Sequence, residues 1–94
     1  RTAPALEWTG NAVDLVELIY GINEMGCVND GARPLGQLAP LFYRMFGIKA
    51  KDCYRFYVAI KRRKSGSRTY FLDRMREKLN RRMDMDEERE RTRR

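Results

Sequence analysis

The sequence contains no histidine and only two cysteines among its 94 residues. Without histidine, the chain lacks the usual general base and the most common metal ligand of proteins. Cys27 and Cys53 have apolar neighbours and do not have the spacing of a zinc-site pair, and a short secreted domain would normally carry more cysteines. We therefore expect two reduced thiols and no metal site.

Long apolar runs are also missing. No stretch reaches the roughly 18 consecutive apolar residues of a membrane span, and no secretory signal pattern opens the chain. These absences predict a protein with no membrane span and no secretory signal. Because the chain begins at Arg1 without a methionine, we expect one small domain from which an N-terminal partner domain is missing.

The formal net charge of +7 is concentrated in the middle of the chain. Residues 1–30 carry one base and five acids, whereas residues 31–68 carry ten bases and one acid. Residues 69–94 are nearly balanced, with nine bases and seven acids. Four adjacent cations, Lys61 to Lys64, stand at the centre of the basic segment and give a folding chain no benefit. This asymmetry is typical of proteins that bind a polyanion such as nucleic acid.

Apolar residues repeat at helical spacing in four segments, which predicts an all-α domain of four helices. The first helix starts after Asn11, a suitable N-cap, and ends at Gly26. The second ends at Gly47, and Pro40 either bends it or moves its regular start to near Ala39. The predicted apolar faces of these helices are Leu15, Leu18, Ile19, Ile22 and Met25, and then Leu35, Leu38, Leu41, Phe42 and Met45.

The rest of the chain completes the predicted domain. The third helix spans residues 51–64, and the fourth begins after Ser67 or Thr69. Their core stripes are Cys53, Phe56, Tyr57 and Ile60, and then Leu72, Met75, Leu79 and Met83. Residues 1–10 form an irregular lead-in anchored by Trp8, residues 11–84 the helical DNA-binding domain, and residues 85–94 a charged, disordered tail.

The second and third helices are joined by only a few residues around Gly47, which is the length of a helix-turn-helix connection. In that motif the second helix enters the major groove of DNA. Residues 65–69 are too few for the β-hairpin of a wing, so we expect a winged-helix-like fold with the wing minimal or absent. The Asn29-Asp30-Gly31 turn signal leaves open whether residues 27–34 form a short hairpin.

The predicted third helix has a basic face that its core stripe does not use. Arg55 and Arg62 lie on this face and are candidates for base edges, because a guanidinium pairs bidentately with guanine. Val58 can meet a thymine methyl, and Tyr54 a phosphate or a sugar. The predicted DNA-binding residues are Lys49, Lys51, Tyr54, Arg55, Val58, Lys61, Arg62, Arg63, Lys64 and Arg68. Among them, those expected at phosphates are Lys49, Lys51, Arg63, Lys64 and Arg68.

Three carboxylates, Asp14, Glu17 and Glu24, fall on the side of the first helix away from its apolar face. No nucleophile, acid or metal ligand accompanies them, so we expect a solvated helix surface. The sequence therefore predicts neither an enzyme nor a small-molecule substrate.

Two long segments, residues 6–26 and 46–84, resemble the RteC family of conjugative-transposon excision regulators, specifically its C-terminal domain. The most telling pieces are Trp8-Thr9-Gly10, Asp14 to Tyr20, Tyr54-Arg55, Arg63-Lys64 with Arg68-Thr69, Phe71-Leu72-Asp73 and Arg82-Met83-Asp84. The resemblance implies a cytoplasmic, cofactor-free activator that binds double-stranded DNA upstream of excision genes through a helical, winged-helix-like domain. Pro40 departs from the pattern, and the family's N-terminal helical domain is missing.

Each signal also has a simpler explanation, since short helix–loop–helix units and solvated basic helix faces are common. The main alternative is a protein-interaction module that docks a recombination or transcription partner through its basic face. RNA binding is less favoured, because Phe42, Phe56 and Tyr57 lie on predicted core stripes instead of forming an exposed stacking platform. The sequence leaves open whether the domain acts as a homodimer.

Overall fold

A computed structural model describes residues 5–49 and 52–93. Within these ranges the chain forms four α-helices and no β-strand: α1 (Ala12–Met25), α2 (Leu35–Met45), α3 (Cys53–Lys61) and α4 (Tyr70–Thr92). The predicted all-α class is confirmed. No helix in the described part of the chain is both long and apolar enough to cross a membrane.

Helix α1 is the centre of the fold, because α2, α3 and α4 each pack against it. Leu15, Val16 and Ile19 are completely buried on α1 and meet Ala39 and Tyr43 of α2. Ile60 of α3 closes the same cluster, and burial of each large apolar side chain stabilises the fold by about 1.5–3 kcal/mol. Trp8 packs on this core and donates its indole N–H to the Asn11 carbonyl at 2.9 Å, as expected of an anchor for the lead-in.

Helix α2 starts at Leu35, with Pro34 as its N-cap, and continues through Pro40. The alternative start near Ala39 is therefore wrong. Pro40 leaves only the carbonyl of Gly36 without its helical donor, and both residues are exposed, so water can reach that group. At the other end Gly47 adopts a left-handed conformation, and the Ile48 N–H donates to the Tyr43 carbonyl at 3.0 Å, as in a Schellman motif.

The buried face of α2 differs from the predicted one. Leu41 and Met45 are about half exposed, whereas Ala39 and Tyr43 are buried. The sequence pattern favours the larger aliphatic residues, but the close packing of α2 on α1 places the small Ala39 and the flat Tyr43 ring at the contact. Burial raises the pKa of the Tyr43 hydroxyl above its usual range.

Residues 27–34 do not form a hairpin, so that alternative is wrong. Asn29, Asp30 and Gly31 form a 3-10 turn instead, with φ angles of 49°, 54° and 73°. Asparagine, aspartate and glycine are the residues that tolerate this left-handed region best. The turn signal in the sequence is correct, and its consequence is a reversal of the chain between α1 and α2.

The connection between α2 and α3 covers residues 46–52 and is longer than the three or four residues of a standard helix-turn-helix turn. The arrangement of the helices does not establish that motif, which stays a prediction. Helix α3 is also shorter than predicted at its C-terminal end. Its last helical residue is Lys61, so Arg63 and Lys64 belong to the loop that follows.

Helix α4 extends beyond the predicted domain. The expectation of a disordered tail over residues 85–94 is wrong as far as Thr92, because the helix continues to that residue. Ion pairs one turn apart support the extension, including Arg82 with Asp86 at 3.2 Å and Arg91 with Glu88. Mixed charge is compatible with disorder, but opposite charges at these spacings stabilise a helix.

The sequence predicts that Glu17 lies on a solvated helix surface, but in the structure it lies inside the fold. Its side chain is only 3% exposed. One carboxylate oxygen accepts a hydrogen bond from Arg63 Nη1 at 2.7 Å, and the other accepts one from the backbone N–H of Leu72 at 2.9 Å. Leu72 lies in the first turn of α4, so Glu17 of α1 caps a neighbouring helix and binds the preceding loop at the same time.

Replacement of Glu17 by alanine should therefore destabilise the protein more than a surface substitution would. We expect Glu17→Ala to lower the free energy of unfolding by about 2–4 kcal/mol, because Arg63 and the Leu72 N–H both lose their partner. Denaturant unfolding followed by circular dichroism measures this change. Glu24→Ala, an exposed carboxylate on the same helix, is the matched control and should change stability by less than about 0.5 kcal/mol. Equal losses for the two variants would contradict the role of Glu17.

Candidate nucleic-acid interface

Helix α3 presents one side to the core and the opposite side to solvent. Asp52 caps its start, with a side-chain oxygen that accepts the Arg55 N–H at 3.2 Å. Cys53, Phe56 and Ile60 pack inward. This packing fixes the rotation of α3 about its axis and so decides which of its residues remain available to a partner.

Most of the residues that the sequence predicts as DNA contacts on the third helix lie on the outward side of α3. Tyr54, Arg55 and Lys61 are exposed on the helix, and Arg62 is exposed at its C-cap. Val58 is only half exposed, while Ala59 beside it is exposed. Ala59 is not among the residues predicted for this surface, although its position one turn after Arg55 and three residues before Arg62 could have indicated it. A small residue at this place allows a close approach to a flat or grooved partner.

A cluster of tyrosines supports the edge of this surface. The rings of Tyr20 on α1 and Tyr57 on α3 stack in parallel with centroids 4.2 Å apart. The Lys61 ammonium lies 5.2 Å from the Tyr57 ring, within the range of a cation–π contact. Burial raises the pKa of the Tyr20 hydroxyl above its ordinary value. Lys61 is thereby held on a fixed aromatic support while its charge stays exposed.

The loop between α3 and α4 continues the basic surface. Lys64 and Arg68 are exposed there, and Gly66 adopts a φ of 77° that allows the chain to turn. Lys49, before α3, is also exposed. Lys51 lies outside the described residues. Hydrogen bonds from Ser67 and Thr69 lower the pKa of Asp73, so this acid stays ionised at the start of α4, where the helix dipole favours negative charge.

Arg63 does not share the exposure of its neighbours. Its guanidinium pairs with Glu17 at 2.7 Å and lies 3.9 Å from Asp14, and its side chain is 23% exposed. It also donates to the Arg68 carbonyl at 2.9 Å, which ties the two ends of the loop together. Burial raises the pKa of Asp14, and the charge of Arg63 opposes that shift. The expectation that Arg63 contacts a phosphate therefore conflicts with its position, because its guanidinium is already paired with acidic side chains inside the protein.

The other described cations of this surface have no acidic partner. Among residues 5–49 and 52–93, the ion pairs involve Arg63 or residues of α4 from Arg82 onward. The unpaired cations of the surface within these ranges are Lys49, Arg55, Lys61, Arg62, Lys64 and Arg68. In the same ranges no group of histidine, cysteine or acidic residues could hold a metal ion. The arrangement therefore offers positive charge and hydrogen-bond donors to a ligand.

Comparison with protein families matches residues 1–87 to the family described as RteC protein. The match covers most of the 94 residues. The chain belongs to the RteC family. Neither the curated proteins nor the solved structures contain a match. The resemblance seen in the sequence is thus confirmed, and RteC membership fits the context of conjugative-transposon excision regulators.

Two adjacent arginines of this RteC-family domain should respond differently to the same substitution. Arg63→Ala leaves Glu17 buried without its cation, so we expect a loss of about 3–5 kcal/mol in the free energy of unfolding. Arg62→Ala removes an exposed side chain and should cost less than about 0.5 kcal/mol. Thermal unfolding should separate the two variants by well over about 10 °C.

A double variant tests the pair directly. Glu17→Met combined with Arg63→Met should lose less stability than the sum of the two single changes, because neither charge is left buried alone. Additive losses would show that Glu17 and Arg63 do not act together.

Proposed function

We propose that this RteC-family domain is a non-enzymatic DNA-binding activator of excision genes that acts in the cytoplasm without a cofactor. Helix α3 enters the major groove in this proposal. The observation that supports it most is the group of unpaired cations on and around α3, from Lys49 to Arg68. Family membership supports the proposal further, because it fits the context of conjugative-transposon excision regulators.

The cations divide into two groups by their position. Arg55 and Arg62 lie on the outward side of α3, where a helix in the major groove faces base edges, and each can pair with a guanine. Lys49, Lys64 and Arg68 lie in the flanking loops and neutralise phosphates on the two sides of the groove. Lys61, whose ammonium lies over the Tyr57 ring, also neutralises a phosphate. Lys51 is assigned to a phosphate from the sequence alone.

The side chains between these cations complete the proposed contact. Tyr54, exposed at the start of α3, donates its hydroxyl to a phosphate or packs on a sugar. Val58 and Ala59 present methyl groups that fit a thymine methyl. Arg63 takes a different role from the one predicted. It holds the loop of residues 62–69 against Glu17, so that Lys64 and Arg68 are presented at a fixed distance from α3.

A protein-interaction module is the second candidate function. Its basic face would meet an acidic surface of a recombination or transcription partner. The two functions differ in the ligand: the first requires that the domain bind duplex DNA itself, whereas the second requires a protein partner and predicts no binding to DNA at low salt.

Binding to duplex DNA should therefore be strong at low salt and steeply salt-dependent. We expect the logarithm of the association constant to fall with the logarithm of salt concentration with a slope of about −4.5, for about five neutralised phosphates. Fluorescence anisotropy of labelled duplexes from upstream of the element's excision genes, compared with scrambled duplexes, measures both affinity and preference. Lack of binding at low salt would overturn the proposal and favour the protein-interaction module.

Two substitutions distinguish base contacts from phosphate contacts. Arg62→Ala should reduce the preference for the specific duplex by roughly 5- to 150-fold, equivalent to about 1–3 kcal/mol for a bidentate base contact. Lys64→Ala should weaken binding to specific and scrambled duplexes equally and reduce the salt slope by about 1.

Arg81→Ala is the matched control, because it removes the same charge from an exposed position on α4, outside the proposed contact. Its affinity for both duplexes should stay within about twofold of the parent protein. Equal losses for Arg62→Ala on the two duplexes would place that residue at a phosphate instead of a base.

A further inference from the structure

The C-terminal part of α4 has no support from the rest of the described chain. Phe71 and Leu72 are half-buried near its start, where Phe71 meets Trp8 and Leu72 lies beside Gly21 of α1. From Arg74 to Arg93 every residue is exposed except Asp86, which is half-buried. A helical segment of this length without tertiary packing is marginally stable in water, so a partner surface would stabilise it.

This unsupported segment carries an apolar stripe. Met75, Leu79 and Met83 repeat every four residues and therefore lie on one side of α4. Leu79 is 60% exposed and Met83 47% exposed, although the helix is otherwise almost entirely polar. We define Met75, Leu79 and Met83 as the α4 stripe. Large apolar side chains in such a row favour burial against another helix.

The distribution of charge along α4 indicates which helix would cover the α4 stripe. Residues 74–82 carry five bases and one acid, and residues 84–90 carry five acids and one base. Two copies of α4 that run antiparallel bring the basic half of each against the acidic half of the other. A parallel pair would set each half against its own copy and would be repelled.

We propose that α4 forms an antiparallel helix pair with α4 of a second copy of this chain, through the α4 stripe. The register that sets Leu79 against Met83 of the second copy also sets Arg76 against Asp86 of that copy. Both contacts occur twice, because the pair has two-fold symmetry. The inference does not depend on DNA binding, and its tests contain no DNA.

A groove at the base of α4 is compatible with this pairing. It has a volume of about 380 Å³ and lies between Asp14 of α1 and the first turns of α4. Phe71 and Met75 supply its apolar wall, and Arg74 and Lys78 its positive charge. In the antiparallel register the acidic end of the second α4, around Glu87 and Glu88, approaches this basic groove.

The mass in solution tests the proposal first. Sedimentation equilibrium of the chain at micromolar concentration should give about twice the monomer mass of 11.2 kDa. Met83→Glu should weaken self-association by at least about tenfold, because it sets a charge in the apolar contact. Met85→Glu is a closely matched control, since Met85 is 51% exposed on the same helix but on another side, and it should leave the dimer intact. A monomer at all concentrations, or equal effects of the two substitutions, would overturn the proposal.

The orientation of the pair is tested by charge exchange. Arg76→Glu alone should weaken the dimer, since it sets a second carboxylate against Asp86 of the other copy. Asp86→Arg alone should weaken it as well, because it sets two guanidinium groups against each other and removes the pairs of Asp86 with Arg82 and Arg89 in its own helix. The two changes together in one chain restore opposite charges in the antiparallel register and should recover most of the affinity. Failure of the double variant to recover, while far-UV circular dichroism shows an intact fold, would contradict the antiparallel register.

Discussion

The buried carboxylate of Glu17 is the interaction on which the rest of the structure depends. It joins the central helix α1 to the first turn of α4 and to the loop that follows α3, through one backbone donor and one arginine. A charged group at 3% exposure is costly unless its hydrogen bonds are complete. Here both oxygens have partners, so the group is satisfied in only one relative position of the three elements. Apolar burial provides most of the stability, and Glu17 determines the arrangement.

This interaction also explains why four cations can stand side by side from Lys61 to Lys64. The helix ends at Lys61, and the change of backbone direction at Arg62 turns Arg63 inward while its neighbours remain outside. One internal acid thus takes one of the four charges, and the other three remain available to a ligand. The internal pair removes one cation from the surface and fixes the loop that carries Lys64 and Arg68.

Much of the fold could be predicted from the sequence because it follows from local rules. The helical spacing of Leu15 and Ile19, the glycines at positions 26 and 47, and the Asn29-Asp30-Gly31 turn each act over a few residues, and each has the predicted effect. The errors concern long-range partners. Glu17 and Arg63 are 46 positions apart, and nothing in the spacing of either residue indicates the other. Helical periodicity identified the polar side of α1, but it could not show that α4 would cover part of that side.

The outward side of α3 could be predicted for the same reason, since a helix that buries Cys53, Phe56 and Ile60 must expose Arg55 and Arg62. The end of α4 could not be predicted, because its helical structure depends on charge pairs and on an apolar stripe that nothing within the described chain covers. Helices α3 and α4 therefore differ in the kind of side chain that they expose without a partner within the described chain. Around α3 the described chain exposes a surplus of positive charge, whereas on α4 it exposes an apolar row between segments of opposite charge. If α4 pairs and α3 binds DNA as proposed, the α4 pair would hold two copies of α3 in a fixed two-fold relation, which is the arrangement that recognition of a palindromic DNA site requires.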